Sequence, residues 1–300
     1  MEFQKGYSQF LESLKNEGKS GTTLKNYKQD LRSYEFFLAR SFSRIPTMND
    51  VTTENIQRFL AYNQKERQLQ ANTCQRQYYT LSSFCSFAYR KGFIHQNEAL
   101  NVERIRVKKE EPITVTEIEF AQILKQVEKK VIKRVLFFLY HTGLRISECL
   151  LLTLEDIDFE NQLVHVHNGK GGKYRSVPLL PQVVDELRNY LENERPNDID
   201  SNRLFATKRS GALSDVYVNR HLQKAVNKIG LSKKVTAHTL RHSFASNLVK
   251  KGVHHVHIQK ILGHQSLAST GIYTHVDEND MEESLLKLNE EGVDINEHVS

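Results

Sequence analysis

Residues 102–112, VERIRVKKEEP, interrupt this chain of 300 residues with alternating charge and close on Pro112. That composition suits an exposed connection between two domains. Apolar residues recur at helical spacing on both sides of it, so two separate cores are expected rather than one continuous body. Three hundred residues are enough for two ordinary domains to bury a core each.

The first body reads as helical throughout. Phe3, Tyr7, Phe10, Leu11 and Leu14 recur at helical spacing until EGKSG breaks the pattern. Leu24, Tyr27, Leu31, Tyr34 and Leu38 predict a second helix, capped by Ser20 or Thr22. A third starts near Thr52 and runs through Ile56, Phe59 and Leu60. A fourth spans about Asn72 to Arg90, with Tyr78, Leu81, Cys85 and Ala88 on one stripe. These aromatic stripes are read as core rather than as stacking platforms.

The second body opens with helix patterns at 116–129 and 131–141, the latter ended by Gly143. ISECLLLTL reads as a further helix. LVHVHN and KYRSVPL around the glycine-rich NGKGG predict a β-hairpin. Helices follow at about 181–194, 214–229, 237–250, 254–262 and 266–274. The expected fold is mainly α: an all-helical N-terminal domain and an α+β second domain with a small antiparallel sheet.

At 39% hydrophobic and 26% charged, the chain reads as globular, and no apolar run approaches a membrane span of about 20 residues. MEFQKGYSQF has no apolar stretch of the signal-peptide type. Cys74, Cys85 and Cys149 are odd in number and set among apolar residues. They read as buried thiols of a cytoplasmic protein, not as a disulfide framework or a zinc site. Residues 1–110 hold 18 Lys/Arg against 11 Asp/Glu, residues 111–276 hold 23 against 16, and 277–300 hold one against nine. Two basic bodies and an acidic tail fit either an ordinary solvated surface or a polyphosphate partner. Arg104, Arg106, Lys108 and Lys109 leave the same two readings open for the connection.

The chemistry concentrates in four segments: TGLRISE with Arg145, HTLRHSFA with His238 and Arg241, LGHQSLAST with His264, and GIYTHV with Tyr273. A guanidinium is a permanently charged fork that matches phosphate oxygens. Histidine moves protons near neutral pH, and a tyrosine hydroxyl can become a covalent nucleophile. Together they make a set able to cut a phosphodiester without metal. A purely structural Arg145 would instead pair with Glu148 or Glu155. A zinc reading of His238 with His242 fails, because Thr239 stands where the zinc-protease helix needs Glu. NGKGGK also lacks the spacing of a phosphate-binding loop of nucleotide hydrolases. His254, His255 and His257 fit no functional position and read as surface or phosphate-proximal.

In their order and spacing these segments resemble the tyrosine recombinase, or phage integrase, family, over roughly residues 112–276 and more weakly before that. The family pattern is an early Arg, a hairpin Lys, His-x-x-Arg, a second His, and a Tyr nine residues later. Here those positions fall on Arg145, Lys170, His238, Arg241, His264 and Tyr273. The resemblance implies that Arg145 and Arg241 clamp the scissile phosphate and that Glu148 orients Arg145. It makes His238 a proton-transfer group, His264 a hydrogen-bond donor to the phosphate, Lys170 the general acid and Tyr273 the nucleophile. Lys173 competes with Lys170 for its role. Gly271 departs from the family, whose members often carry a bulkier polar residue there.

The resemblance further implies a core-type DNA-binding domain at 1–107, a catalytic domain at 112–276 and an acidic tail at 277–300. The tail's Met281, Leu285 and Leu288 either dock on a neighbouring protomer or pack on their own domain. The implied activity is site-specific recombination of double-stranded DNA through a 3′-phosphotyrosyl link and a four-way junction. A homotetramer, or a heterotetramer with a paralogue, would clamp two sites, with neither cofactor nor metal. Because the first helix begins by residue 3, no arm-type domain is expected before the clamp. That favours an Xer-like or transposon-borne enzyme. A tyrosine-type topoisomerase and a non-catalytic DNA-binding regulator are the alternatives.

Overall fold

A computed structural model describes residues 1–103, 105, 107, 111–167 and 174–263. The chain forms two compact units, Met1–Glu110 and a second that begins at Glu111. The connection's Arg104, Arg106, Lys108 and Lys109 lie outside the described residues.

The first unit is built from α1 (Phe3–Asn16), α2 (Gly21–Phe42), α3 (Thr53–Lys65) and α4 (Ala71–Arg90). Ser20 caps α2 by accepting from the Thr23 amide, and Thr52 caps α3 through the Asn55 amide, so each helix begins where an orphan N–H finds a hydroxyl. The aromatic stripes are core. Phe3 meets Tyr34 and Phe84 edge to face at centroid separations of 5.6 and 5.3 Å, and all three rings are fully buried. Asp30, also buried, is held by Arg76 Nη1 at 2.5 Å and Thr80 Oγ1 at 2.8 Å, which join α2 to α4.

The second unit contains α5 (Glu117–Gln126), α6 (Lys130–Thr142), α7 (Ile146–Leu151), α8 (Pro181–Asn193), α9 (Asp215–Lys228), α10 (Ala237–Lys250) and α11 (His255–Leu262). Strands β1 (Ile157–Asp158), β2 (Leu163–Val166) and β3 (Arg175–Pro178) form an antiparallel sheet in that order. Val164 pairs with Val177 and Val166 with Arg175. The hairpin is therefore present, flanked by a third strand that the sequence reading did not include, and its NGKGG turn lies outside the described residues. Two helices are shorter than expected: α5 stops at Gln126, and α7 stops at Leu151. The core runs from Leu136 and Leu139 of α6 through Val164, Val166 and Val177 to Leu222 and Leu240.

Gly143 ends α6 at φ 64°, a conformation that costs L-residues energy and glycine none. A Cβ there would fall 2.3 Å from Phe244 Cδ1 and 2.9 Å from Leu262 Cδ2, so α10 and α11 close directly onto this turn. All three cysteines are buried and free, and burial pushes the Cys85 thiol up to about 12. Among the described residues no helix is long and apolar enough to cross a membrane. The expected 266–274 helix and the Met281, Leu285 and Leu288 stripe lie outside the described residues.

Candidate active site

The turn after Gly143 sets Arg145 immediately before α7. There its backbone N–H donates to Glu148 Oε2 at 2.9 Å and its Nη1 to Glu148 Oε1 at 2.8 Å. Of the two carboxylates considered for Arg145, Glu148 is thus the partner. Glu148 is only 4% exposed and shares its charge with a second arginine, Arg175 of β3. Arg175 donates Nη2 to Oε2 at 2.8 Å and Nη1 to Oε1 at 3.2 Å, a two-pronged grip. Burial alone would raise the Glu148 pKa. The hydrogen bonds and charges of Arg175 and Arg145 outweigh it and hold the carboxyl below its ordinary range.

Helix α10 starts at Ala237 because Thr236 and Thr239 cap each other's amides, at 3.0 and 3.3 Å. The residue that rules out a zinc-protease helix is therefore a structural cap. One turn on, Arg241 is 2% exposed, and it donates Nη1 to the Gly143 carbonyl at 2.7 Å and Nη2 to the Leu262 carbonyl at 2.8 Å. Arg145 Nη2 reaches the Gly263 carbonyl at 3.5 Å, and Arg175 Nε the Ile261 carbonyl at 3.0 Å. Three arginines from three distant segments thus hold three consecutive carbonyls at the end of α11, where a helix is partially negative.

His238 presents its side chain to solvent, yet partial burial of the ring and the charges of Arg241 and Arg145 lower its pKa. His242 packs edge to face on it at a centroid distance of 4.4 Å, and burial, His238 and Arg241 depress its pKa to about 4. Both rings are therefore neutral near pH 7, and His238 offers an imidazole able to accept or relay a proton.

Of the residues expected from sequence, the fold brings together Arg145, His238 and Arg241. Lys170, its rival Lys173, His264, Gly271 and Tyr273 lie outside the described residues, and His264 follows Gly263 directly in the chain. Arg175 was not anticipated. The signal was strand alternation: in Arg175-Ser176-Val177, Val177 is 1% exposed, so the arginine two residues before it must also face inward. His254, His255 and His257 are exposed, which fits the surface reading. Among the described residues no group of three or more His, Cys, Asp or Glu could hold a metal ion.

The family model described as "Phage integrase family" matches residues 114–280, over half of the chain. The chain belongs to the phage integrase family of tyrosine recombinases. A second model, "Phage integrase, N-terminal SAM-like domain", matches residues 7–92 of this family member. The tyrosine recombinase XerC of Thermodesulfovibrio yellowstonii is 35% identical to it over 280 residues, 89% of this chain and 90% of that protein. XerC of Halalkalibacterium halodurans is 33% identical over 90% and 92% of the two chains. Among solved structures, the Tn1549 transposon integrase in complex with transposon right end DNA has the same fold. Its TM-score is 0.78 at 20% identity, over 96% of this chain and all of that one.

Proposed function

We propose that this phage integrase family member is a site-specific DNA recombinase whose nucleophile is Tyr273. The tyrosine oxygen attacks the scissile phosphorus and loses its proton as the bond forms. The P–O5′ bond breaks, and Lys170 protonates the departing 5′ oxygen. What remains is a 3′-phosphotyrosyl ester and a free 5′ hydroxyl. Attack of that hydroxyl on a partner's ester frees the tyrosine and joins the strands crosswise. The ester keeps the bond energy, so no nucleotide is consumed. Repetition on the second strands resolves a four-way junction, in an assembly of four protomers on two duplexes.

Arg145 and Arg241 bind the non-bridging oxygens, Glu148 orients Arg145, His238 moves the proton, and His264 donates to the growing phosphorane charge. Supporting this reading is the convergence of Arg145 and Arg241 on the Gly263 and Leu262 carbonyls, beside the start of the segment that carries His264 and Tyr273. The basic first body, with 16 Lys/Arg against 10 Asp/Glu over 1–107, supports a DNA-core-binding role for that domain. The acidic tail at 277–300 docks on a neighbouring protomer through Met281, Leu285 and Leu288. The reaction belongs in the cytoplasm, where its outcome is dimer resolution or movement of a mobile element.

The test starts with a duplex selected by binding from a random pool and nicked beside the scissile bond, so that cleavage traps the protein. The wild type should form a covalent adduct and, given two intact sites, exchange strands between duplexes. Tyr273→Phe should bind equally and form none. An adduct that persists in Tyr273→Phe would move the nucleophile elsewhere, and relaxation without exchange would point to a topoisomerase.

A further inference from the structure

Arg175 has no role in the chemistry above, yet it joins the Arg145–Glu148 turn to the end of α11. Its Nε and both terminal nitrogens are engaged, on the Ile261 carbonyl and on both oxygens of Glu148, and its side chain is 12% exposed. It is thus turned inward, onto protein partners rather than toward a bound anion. Its guanidinium also occupies the space a side chain would fill at Gly263, where a Cβ would stand 3.0 Å from Cζ and Nη1. Gly263 immediately precedes His264, and Arg175 follows Lys170 by five residues in the chain. Through Glu148 the same side chain touches the partner of Arg145.

The charges give this placement a consequence. Glu148 is buried and ionised, and with Arg145 as its only partner it would cancel the Arg145 charge. Arg175 supplies a second positive charge, so the Arg145–Glu148–Arg175 cluster stays net positive while Glu148 remains fully hydrogen-bonded. Arg145 Nη1 and the Arg145 amide remain fixed by Glu148, so the guanidinium keeps both its orientation and its charge.

We infer that Arg175 is a positioning residue for phosphodiester cleavage. It offsets Glu148 so that Arg145 presents a positive charge to the scissile phosphate, and it packs on Gly263, the residue that precedes His264 in the chain. This rests on the recombinase reading given above.

The experiment uses the full-length protein on the selected, nicked duplex, measuring single-turnover adduct formation and affinity separately. Arg175→Gln should slow cleavage by about 10–100-fold, the scale set by partners that orient metal ligands, while affinity changes little. The decisive comparison replaces a non-bridging oxygen of the scissile phosphate by methyl, which removes its charge and with it the demand for a cationic clamp. On that substrate most of the Arg175→Gln loss should disappear. Arg175→Lys, which keeps a charge beside Glu148, should recover about tenfold of the loss on the ordinary phosphate. It also serves as the readout, on both substrates, if the glutamine variant does not fold. An equal loss on both substrates would reduce Arg175 to a structural contact and overturn the inference, as would wild-type rates in Arg175→Gln. A wild type that forms no Tyr273-dependent adduct would instead remove the recombinase reading and this inference together.

Discussion

Gly143→Ala tests the packing that brings the arginines together. Gly143 sits at φ 64°, and its carbonyl accepts from Arg241 Nη1. Placing alanine in a left-handed conformation costs about 1–2 kcal/mol. The new methyl would also stand 2.3 and 2.8 Å from Phe244 ring carbons and 2.9 Å from Leu262 Cδ2, which real contacts do not allow. Phe244 and Leu262 pack in a small cluster with Ala245 and Ile258, so moving them is overpacking, worth about 1–3 kcal/mol more. The sum, about 2–5 kcal/mol, should lower the melting temperature of the second unit by about 4–20 °C. Gly230→Ala is the internal control, at φ +71° with nothing within 4 Å of the added carbon, and should cost only the backbone share, about 1–2 kcal/mol. Thermal unfolding by circular dichroism measures both, and amide hydrogen exchange in α6 and α10 assigns the transition to the second unit. A Gly143→Ala loss no larger than that of Gly230→Ala would mean that Phe244 and Leu262 yield freely, and the argument from close approach would fail.

Glu148→Gln should cost about 3–5 kcal/mol at pH 7, because two arginines lose their carboxylate. The folded-state pKa of Glu148 lies below its unfolded value, so its stabilisation is present above the unfolded carboxyl range and lost as pH falls through the folded value. Denaturant midpoints should therefore show the deficit shrinking in acid, and a deficit independent of pH would sink the ion-pair account. Lys170→Ala should slow cleavage by about 10²–10⁴-fold. It should recover on a substrate whose 5′ bridging oxygen is sulfur, a leaving group that needs little protonation, and rescue of Lys173→Ala instead would shift the role along the hairpin.

The helices of the first unit were legible because the period of Phe3, Tyr7 and Phe10 and the hydroxyls of Ser20 and Thr52 agree on where each begins. Gly143 announced the end of α6 for the same local reason. Reading failed where the deciding partners are remote. ISECLLLTL looks helical throughout, yet the chain leaves the helix after Leu151. Leu152 accepts from the Leu204 amide at 2.8 Å, and Leu154 donates to Asn202 at 2.9 Å. No local propensity encodes those pairings. In the site, Arg145, His238 and Arg241 stood out by motif, whereas Arg175 sat among neighbouring bases in a hairpin. Its partners, Glu148 and Ile261, are 27 and 86 residues away.

The same partners explain how the fold tolerates so much positive charge in one place. Among the described residues Arg145 and Arg175 share one carboxylate, Glu148, so that pairing leaves positive charge in excess. The carbonyls of Ile261, Leu262 and Gly263 supply what is missing, since the C-terminal end of a helix offers unsatisfied acceptors and a partial negative charge. They are dipoles, however, and cannot cancel a net charge as an anion does. Arg145 is the most open of the three, with 28% of its side chain exposed, against 12% for the Arg175 side chain and 2% for Arg241. A phosphate bound as proposed would therefore meet Arg145 first and relieve a repulsion that the helix end only moderates. On the proposed function, the charge offered to a phosphodiester is the charge that three backbone carbonyls and Glu148 keep compatible with a folded core.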